Sequence, residues 1–408
     1  MDDLARRYVL LCLRLERLAP GFLDSYVGPP ELAEAASAEQ PPMPAELHDE
    51  AMALRAQASE LLTDEVAAVR GRWLDGQLRA IAAMARRAEG EEIAYVDFVE
   101  QLFGVPIAPI PESQLLAARD SMDAAVSGTG SLTDRVAAFH ATHLVEPQHV
   151  LTSMKASADR FRAATRRDFD LPDGEGIDWE EAHDRPWNAS ATFTGSGRTK
   201  ILVNIDQPLD VAGIAFLASH EAYPGHHAEH AIKERTLIDS GIGEATLRTM
   251  NTPESMLAEG QADIAREVVM SDRELEEELE RIGRQAGVDG DWTRAVVVHR
   301  AERELSAIQV NAVLMLHHDG RPEAEVRAWV QEVSPRDAGR LDHMFRSFAD
   351  PVLRTYPFTY AQGARVIRPW LEVVGQTAGF ARLLSEQLSP AQLTIELEAS
   401  LQTAVHQV

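Results

Sequence analysis

The densest group of metal-competent side chains lies in the range 219–233. It contains four of the chain's 14 histidines together with a glutamate: His220, Glu221, His226, His227 and His230. Imidazole nitrogens are common ligands of zinc, and a glutamate beside them can act as a general base. The chemistry that these residue types indicate is metal-assisted hydrolysis.

His220 and Glu221 begin a variant of the H-E-x-x-H pattern, in which two histidines one helical turn apart bind zinc and the glutamate activates water. Here Pro224 occupies the position of the second histidine. A proline inside a helix lacks an N–H and presses on the carbonyl four residues back, which is that of His220. We therefore expect a bulge, kink or break between Ala222 and His226 that turns His220 and His226 toward one metal ion.

Other interpretations of the spacing stay open. In an uninterrupted helix at about 100° per residue, His227 would return to the face of His220, although about 10.5 Å further along the axis. His226 and His230 are four residues apart and could also pair, but the residue after His226 is a histidine and not a glutamate. A metal-free interpretation is an exposed polar helix that carries histidines by chance.

A second segment offers a third ligand. Thr252-Pro253-Glu254 has the capping threonine, first-turn proline and early acid of a helix start. In that helix Glu259 and Asp263 share one face among apolar neighbours, so Glu259 could bind zinc and Asp263 could accept the other N–H of a ligand histidine. Glu254 is the reserve ligand. The alternative is a pair of solvated acids on a surface helix.

The stretch His-Glu-Ala-Tyr-Pro-Gly-His-His, from His220 to His227, resembles the signature of the bacterial family catalogued as domain of unknown function 885. That family is grouped with the zinc-dependent peptidases of the gluzincin type. The likeness covers much of the chain from about residue 170 onward, at Pro186-Trp187, Asn204 to Pro208, Glu259-Gly260, and Thr355-Tyr356 through Gly363.

The resemblance implies a zincin-like fold, a zinc cofactor and a tyrosine from late in the chain beside the zinc. The hydroxyl of such a tyrosine would donate to the developing oxyanion. The family pattern places this role on Tyr360, with Tyr356 as runner-up. Arg354 is a nearby candidate for binding the terminal carboxylate of a carboxypeptidase substrate, whereas an aminopeptidase would need acids in the cleft. The sequence leaves both possibilities open.

The expected function is therefore that of a zinc metallopeptidase acting on short peptides or amides. His220, His226 and Glu259 would bind the zinc and leave a fourth position for water, with Glu221 as the general base. A hypothesis from another class is a metal-binding or helical interaction protein whose former peptidase site no longer turns over. Retention of Glu221 and of a late tyrosine favours the enzyme.

Composition restricts the partners and the compartment. The 408 residues include 39 basic and 65 acidic side chains, for a net charge of −26, which disfavours nucleic acid and anionic membranes as partners. Cys12 is the only cysteine, so an intramolecular disulfide is impossible. With no long apolar run and an acidic start, we expect a cytoplasmic protein. The oligomeric state is left open.

The residues around the motif predict the elements that position it. We expect a mainly α-helical fold whose long helices form a cleft, with the motif helix on its floor and a small antiparallel β-hairpin at about 190–206 beside it. An N-terminal helical region, 1–170, would precede a zincin-like catalytic region, 171–408, with a loop at 168–185 between them. One long helix should follow Asp291, and His140, His143 and His149 should be satisfied or solvated.

Overall fold

A computed structural model describes residues 1–64 and 67–406 of the chain. As predicted, the fold is mainly α-helical with short strands in two small sheets. Among the described residues, none of the helices is both long and apolar enough to cross a membrane. The division of the chain at residue 170 stays a prediction.

The first part of the chain is helical apart from one short strand, as its composition predicts. Prolines in the first turn open several of these helices, where the missing N–H costs nothing. The elements are α1 (Asp3–Leu18), β1 (Leu23–Tyr26), α2 (Pro30–Ala38), α3 (Pro44–Glu60), α4 (Ala68–Ala88), α5 (Tyr95–Phe103), α6 (Glu112–Ala125), α7 (Leu132–His143) and α8 (Pro147–Asp168).

A three-stranded sheet follows, formed by β2 (Gly176–Ala182), β3 (Ala189–Gly195) and β4 (Arg198–Asn204). Its order is β2-β4-β3, so β3 lies at an edge. The antiparallel pair β3–β4 confirms the predicted hairpin. The prediction of a loop at 168–185 is wrong, because β2 pairs with β4 in parallel.

The polar residues of β2 explain why its strand was missed. Asp178 and Glu180 alternate with half-buried apolar residues and form ion pairs with Arg198 and Lys200 of β4. Cross-strand ion pairs of this kind stabilise a strand whose own composition resembles a loop.

The central part of the chain contains α9 (Val211–Leu217), a π turn (Ala218–Ala222), α10 (His226–Lys233), β5 (Leu247–Thr249) and α11 (Pro253–Val269). The helix α9 is buried, as its apolar sequence predicts. The predicted Thr252 cap of α11 is confirmed, and Ser255 completes the capping box. The strand β5 pairs antiparallel with β1 and so ties the N-terminal part of the chain to this region.

The last part of the chain is helical: α12 (Asp272–Ala286), α13 (Trp292–Ser306), α14 (Ile308–His317), α15 (Glu323–Val333), α16 (Ala338–Ala349), α17 (Pro357–Val374), α18 (Gln376–Ser385) and α19 (Pro390–His406). Asp291 caps α13, as predicted. The single long helix expected after it is wrong, because a tight turn at Ala307, whose N–H bonds to the carbonyl of Glu304, separates α13 from α14.

Two glycines allow α11 and α17 to approach closely. A Cβ atom added to Gly260 would lie 2.3 Å from the carbonyl carbon of Gly363, and one added to Gly363 would lie 2.1 Å from the carbonyl oxygen of Met256. Both distances are far below van der Waals contact, so neither position accepts a side chain without moving a helix. The close approach of α11 and α17 brings the N-terminal end of α17 next to Glu259.

Candidate metal centre

The helix that carries the motif is interrupted where Pro224 predicts it. The chain leaves the π turn after Ala222 and restarts as α10 at His226. Across the gap, the N–H of Gly225 donates to the carbonyl of Ser219 at 3.0 Å. The imidazole rings of His220 and His226 then lie 4.8 Å apart, centroid to centroid. The predicted break and its consequence for the two histidines are confirmed.

Gly225 is required for this interruption. A Cβ at this position would lie 1.9 Å from the carbonyl oxygen of His220.

We expect Gly225→Ala to lower the free energy of unfolding by about 1–3 kcal/mol and, by separating the histidines, to lower metal affinity by at least about 10-fold. Chemical denaturation and metal titration measure the two effects. Gly339→Ala is the control, since its Cβ would meet only the Asp337 side chain, at 3.2 Å. Unchanged metal affinity in Gly225→Ala would contradict this role.

Three side chains present potential metal ligands to one point. His220, His226 and Glu259 each offer one ligand atom, and these atoms lie within 4.8 Å of one another. The Oε2 atom of Glu259 is 3.3 Å from Nε2 of His220 and 3.7 Å from Nε2 of His226. That oxygen is buried and has no hydrogen-bond partner. Because buried polar atoms are rarely left without a partner, the three residues fit a bound metal ion.

The electrostatics of the group also call for a cation. Burial alone would lower the pKa of His220, but the carboxylates of Asp263 and Glu259 raise it to about 10. Burial would likewise raise the pKa of Glu259, yet the two imidazoles lower it strongly. The carboxylate is therefore stabilised by the positive charge of the imidazoles beside it. A divalent metal ion would take over this role with the imidazoles neutral, as metal binding requires.

Two further side chains hold the ligands in place. The Oδ1 atom of Asp263 faces Nδ1 of His220 at 3.2 Å, where it was predicted, although the two atoms are not aligned as a hydrogen bond. The other oxygen of Asp263 pairs with Arg303, a residue that no sequence pattern singles out. The Tyr356 hydroxyl donates to Oε1 of Glu259 at 2.6 Å. Tyr356 thus orients a ligand.

Glu221 interacts electrostatically with the three residues of the group without belonging to it. Its side chain is buried, and burial raises its pKa, with Glu259 adding to the rise and the two ligand histidines opposing it. The backbone N–H of Ala191, on the edge strand β3, donates to its carboxylate. The hairpin therefore lies beside the π turn that carries the motif.

Tyr360 lies on the other side of His220, with the two rings 6.3 Å apart. It packs edge-on against Tyr356 at 5.3 Å. Burial raises the pKa of Tyr360 well above its ordinary value, so its hydroxyl keeps its proton at neutral pH. Tyr360 also lines a cavity of about 800 Å³ between α11, α13 and α17, together with Asp263 and Arg303.

The structure separates the other motif histidines from the group. His227 is buried against the sheet, with Nδ1 2.7 Å from the Thr199 hydroxyl and Nε2 2.9 Å from a Glu175 oxygen. Its nitrogens are therefore occupied elsewhere, and His226 is the second histidine of the group. His230 stacks on His226, with the rings 6.2 Å apart, but does not join the ligands.

The remaining candidates are not members of the metal group. Glu254, the reserve ligand, instead approaches Arg248 at 3.5 Å. Arg354 lies on a 3₁₀ turn, where its carbonyl accepts from the Tyr95 hydroxyl, and its Nε is buried without a partner. His140 is held between Asp210 and Glu302, which confirms a satisfied histidine.

The fold and the site define a mainly helical protein with a candidate metal centre of two histidines and one glutamate, beside a second glutamate, Glu221, that is not part of the group. No family model matches the chain, and no curated protein matches it. A solved structure of a candidate lipoprotein from Colwellia psychrerythraea has a TM-score of 0.52 and 13% identity over 88% of this chain and 74% of that one. This likeness shows a related fold alone. A structure described as BsuCP covers 97% of this chain and 90% of its own at 12% identity, with a TM-score of 0.44, which is too low to support a conclusion.

Proposed function

We propose that this protein is a zinc-dependent hydrolase, specifically a metallopeptidase that cleaves short peptides or related amides. One observation carries the proposal. His220, His226 and Glu259 offer ligand atoms within 4.8 Å of one another, while the buried Glu221, next to His220 in sequence, interacts electrostatically with all three without being a member of the group. The resemblance of the motif to domain of unknown function 885, and through it to the gluzincins, supports the same function.

The donor set favours a catalytic zinc. Two histidines and a glutamate match the nitrogen and oxygen ligands of catalytic zinc sites, which keep a position open, whereas structural sites use four protein ligands. Among the residues that the structure describes, the group has three members. Zinc bound there would supply a Lewis acid and lower the pKa of a water molecule.

Glu221 is suited to move the proton of the attacking water. Burial raises its pKa, and a raised pKa makes a carboxylate a stronger base. The backbone N–H of Ala191 is a hydrogen-bond donor to this carboxylate. Glu221 would accept a proton from water as the oxygen attacks the carbonyl carbon, and would then deliver it to the departing amine nitrogen.

The edge strand β3 offers a binding surface for an extended peptide. It is the outer strand of its sheet, and its residue Ala191 contacts the general base. A peptide added along such an edge forms main-chain hydrogen bonds that do not depend on its side chains. This arrangement would bring a peptide carbonyl to the metal group.

Tyr360→Phe tests the proposed oxyanion donor. We expect kcat to fall by about 10²–10³-fold with unchanged zinc content, because the variant loses only a hydroxyl that acts on the transition state. Tyr356→Phe is the informative comparison, since it loses the bond to Glu259 and should lower zinc affinity first. Steady-state kinetics and metal analysis on both variants separate these effects. If Tyr360→Phe turns over as fast as wild type, another group stabilises the oxyanion.

Elemental analysis of the purified protein, with a screen of mixed short peptides, tests the function itself. We expect about one zinc per chain, as for sites with one open position, and hydrolysis that a chelator removes and added zinc restores. Bound zinc without any hydrolysis would instead favour a metal-binding protein that has lost its activity.

A further inference from the structure

Asp24 on β1 is an exposed carboxylate that interacts electrostatically with the metal group. It forms no hydrogen bond or ion pair within residues 1–64 and 67–402. Its side chain is exposed to solvent, so a ligand can reach it. The charged groups that act on it include His226, Glu259 and Glu221.

The pairing of β1 with β5 turns this residue out of the strand. Leu23 pairs with Thr249, whereas Ser25 pairs with Arg248, so Asp24 is the extra residue of a β-bulge. Bulges redirect a side chain and are frequent next to active sites. The strand β1 also packs against β3, which carries the Ala191 N–H that donates to Glu221. Asp24 is therefore linked to the proposed general base through the contact of β1 with β3 and the contact of β3 with Glu221.

Within the part of the chain that the structure describes, no lysine or arginine forms an ion pair with Asp24, although His226 and Arg248 act on it electrostatically. The nearest arginine in electrostatic terms, Arg248, is buried and engages Glu254 at 3.5 Å and the Ala245 carbonyl at 3.1 Å. Partial desolvation by the surrounding protein raises the pKa of Asp24 to about 6, and Glu259 and Glu221 add to this effect. A ligand cation would remove that penalty, because a carboxylate in protein surroundings gains most from a charged donor.

We propose that Asp24 binds the protonated amino terminus of a peptide substrate, which makes the site that of an aminopeptidase. The hydrolytic part of this inference rests on the proposed function, but the recognition of the amine does not. The α-ammonium group is the one cation that all peptides with a free amino terminus share, whatever their side chains. The residue that determines the end of the peptide to be cleaved is therefore Asp24, and Arg354 is not needed for it.

The experiment measures binding without turnover. Trialanine and N-acetyl-trialanine are titrated by calorimetry into zinc-loaded Glu221→Gln protein, with and without Asp24→Asn. We expect the Glu221→Gln protein to bind free trialanine about 10–100-fold more tightly than the acetylated peptide, as for a hydrogen bond between charged groups. Asp24→Asn should lose that preference and leave the affinity for N-acetyl-trialanine unchanged. Asp289→Asn, which changes an exposed residue in the loop between α12 and α13, is the matched control and should keep the preference.

Three results would overturn the proposal: equal affinity for both peptides, a preference that survives in Asp24→Asn, or no binding of either peptide. None of them depends on hydrolysis. A wild-type protein that prefers the free amine yet cleaves nothing would refute the peptidase function and keep Asp24 as an amine-binding residue. A wild-type protein that cleaves both peptides equally well would support the peptidase function and refute the role of Asp24 in binding the amine.

Discussion

Replacement of Glu259 by glutamine is expected to abolish stoichiometric zinc binding. The change removes the one negative charge among the three ligands and a ligand oxygen that has no other hydrogen-bond partner. Changes to the residues that orient metal ligands cost about 10–100-fold in affinity, and we expect that loss for Asp263→Asn. Loss of a ligand should exceed it. Metal titration against a competing chelator measures both variants.

Glu89→Gln is the control for Glu259→Gln, because Glu89 is exposed at the end of α4 and remote in sequence from the motif. Its zinc affinity should equal that of wild type. If Glu259→Gln and Asp263→Asn both keep wild-type affinity, the metal is bound elsewhere or not at all.

Replacement of Glu221 by glutamine should abolish turnover while zinc stays bound. The amide keeps the volume of the side chain and can still bond to Ala191, but it cannot accept a proton from water. General acid–base catalysis contributes about 10²–10⁴-fold, and Glu221 is proposed to act in both proton transfers. We therefore expect kcat to fall by at least about 10²-fold.

This comparison requires samples of wild type and Glu221→Gln with equal zinc content. Steady-state hydrolysis of a short peptide gives kcat, and circular dichroism with thermal unfolding shows whether the fold is preserved. A Glu221→Gln protein that hydrolyses peptides as fast as wild type would exclude Glu221 as the base, even with the metal bound by the predicted residues.

The two histidines of the candidate metal centre could be predicted because the feature that brings them together, the helix break at Pro224, depends on neighbouring residues only. Pro224 cannot continue the helix past His220, so the break was readable from the sequence, and the structure has it at 223–225. Which of His226 and His227 joins His220 could not be predicted from neighbouring residues. It depends on Glu175 and Thr199, which come from other elements and occupy both nitrogens of His227.

The roles of the two late tyrosines depend on packing that the sequence does not specify. Tyr356 directly precedes the first turn of α17, and the glycine contact with α11 determines that its hydroxyl reaches Glu259. The resemblance predicted a tyrosine near the metal, and the helix contact decides which one bonds to a ligand. Tyr360, one turn later, instead packs against the rings of His220 and Tyr356.

A role for Asp24 could not be predicted from the sequence. Its orientation follows from a bulge between β1 and β5, which are more than 200 residues apart in the chain, and its unpaired state follows from the contacts of Arg248. The strand β2 was missed for a related reason, since its acidic residues are compatible with a strand only because Arg198 and Lys200 lie opposite. Local patterns cannot reveal such long-range pairs.

Anomalous diffraction at the zinc edge, from crystals grown with zinc, tests the metal centre most directly. We expect one strong peak bonded to His220, His226 and Glu259, at about 2.0–2.2 Å from each ligand atom, with Glu221 outside bonding distance and no fourth protein ligand. A peak bonded to His227 or His230, a fourth protein ligand on the ion, or no peak at these residues would contradict the assignment of a catalytic zinc site.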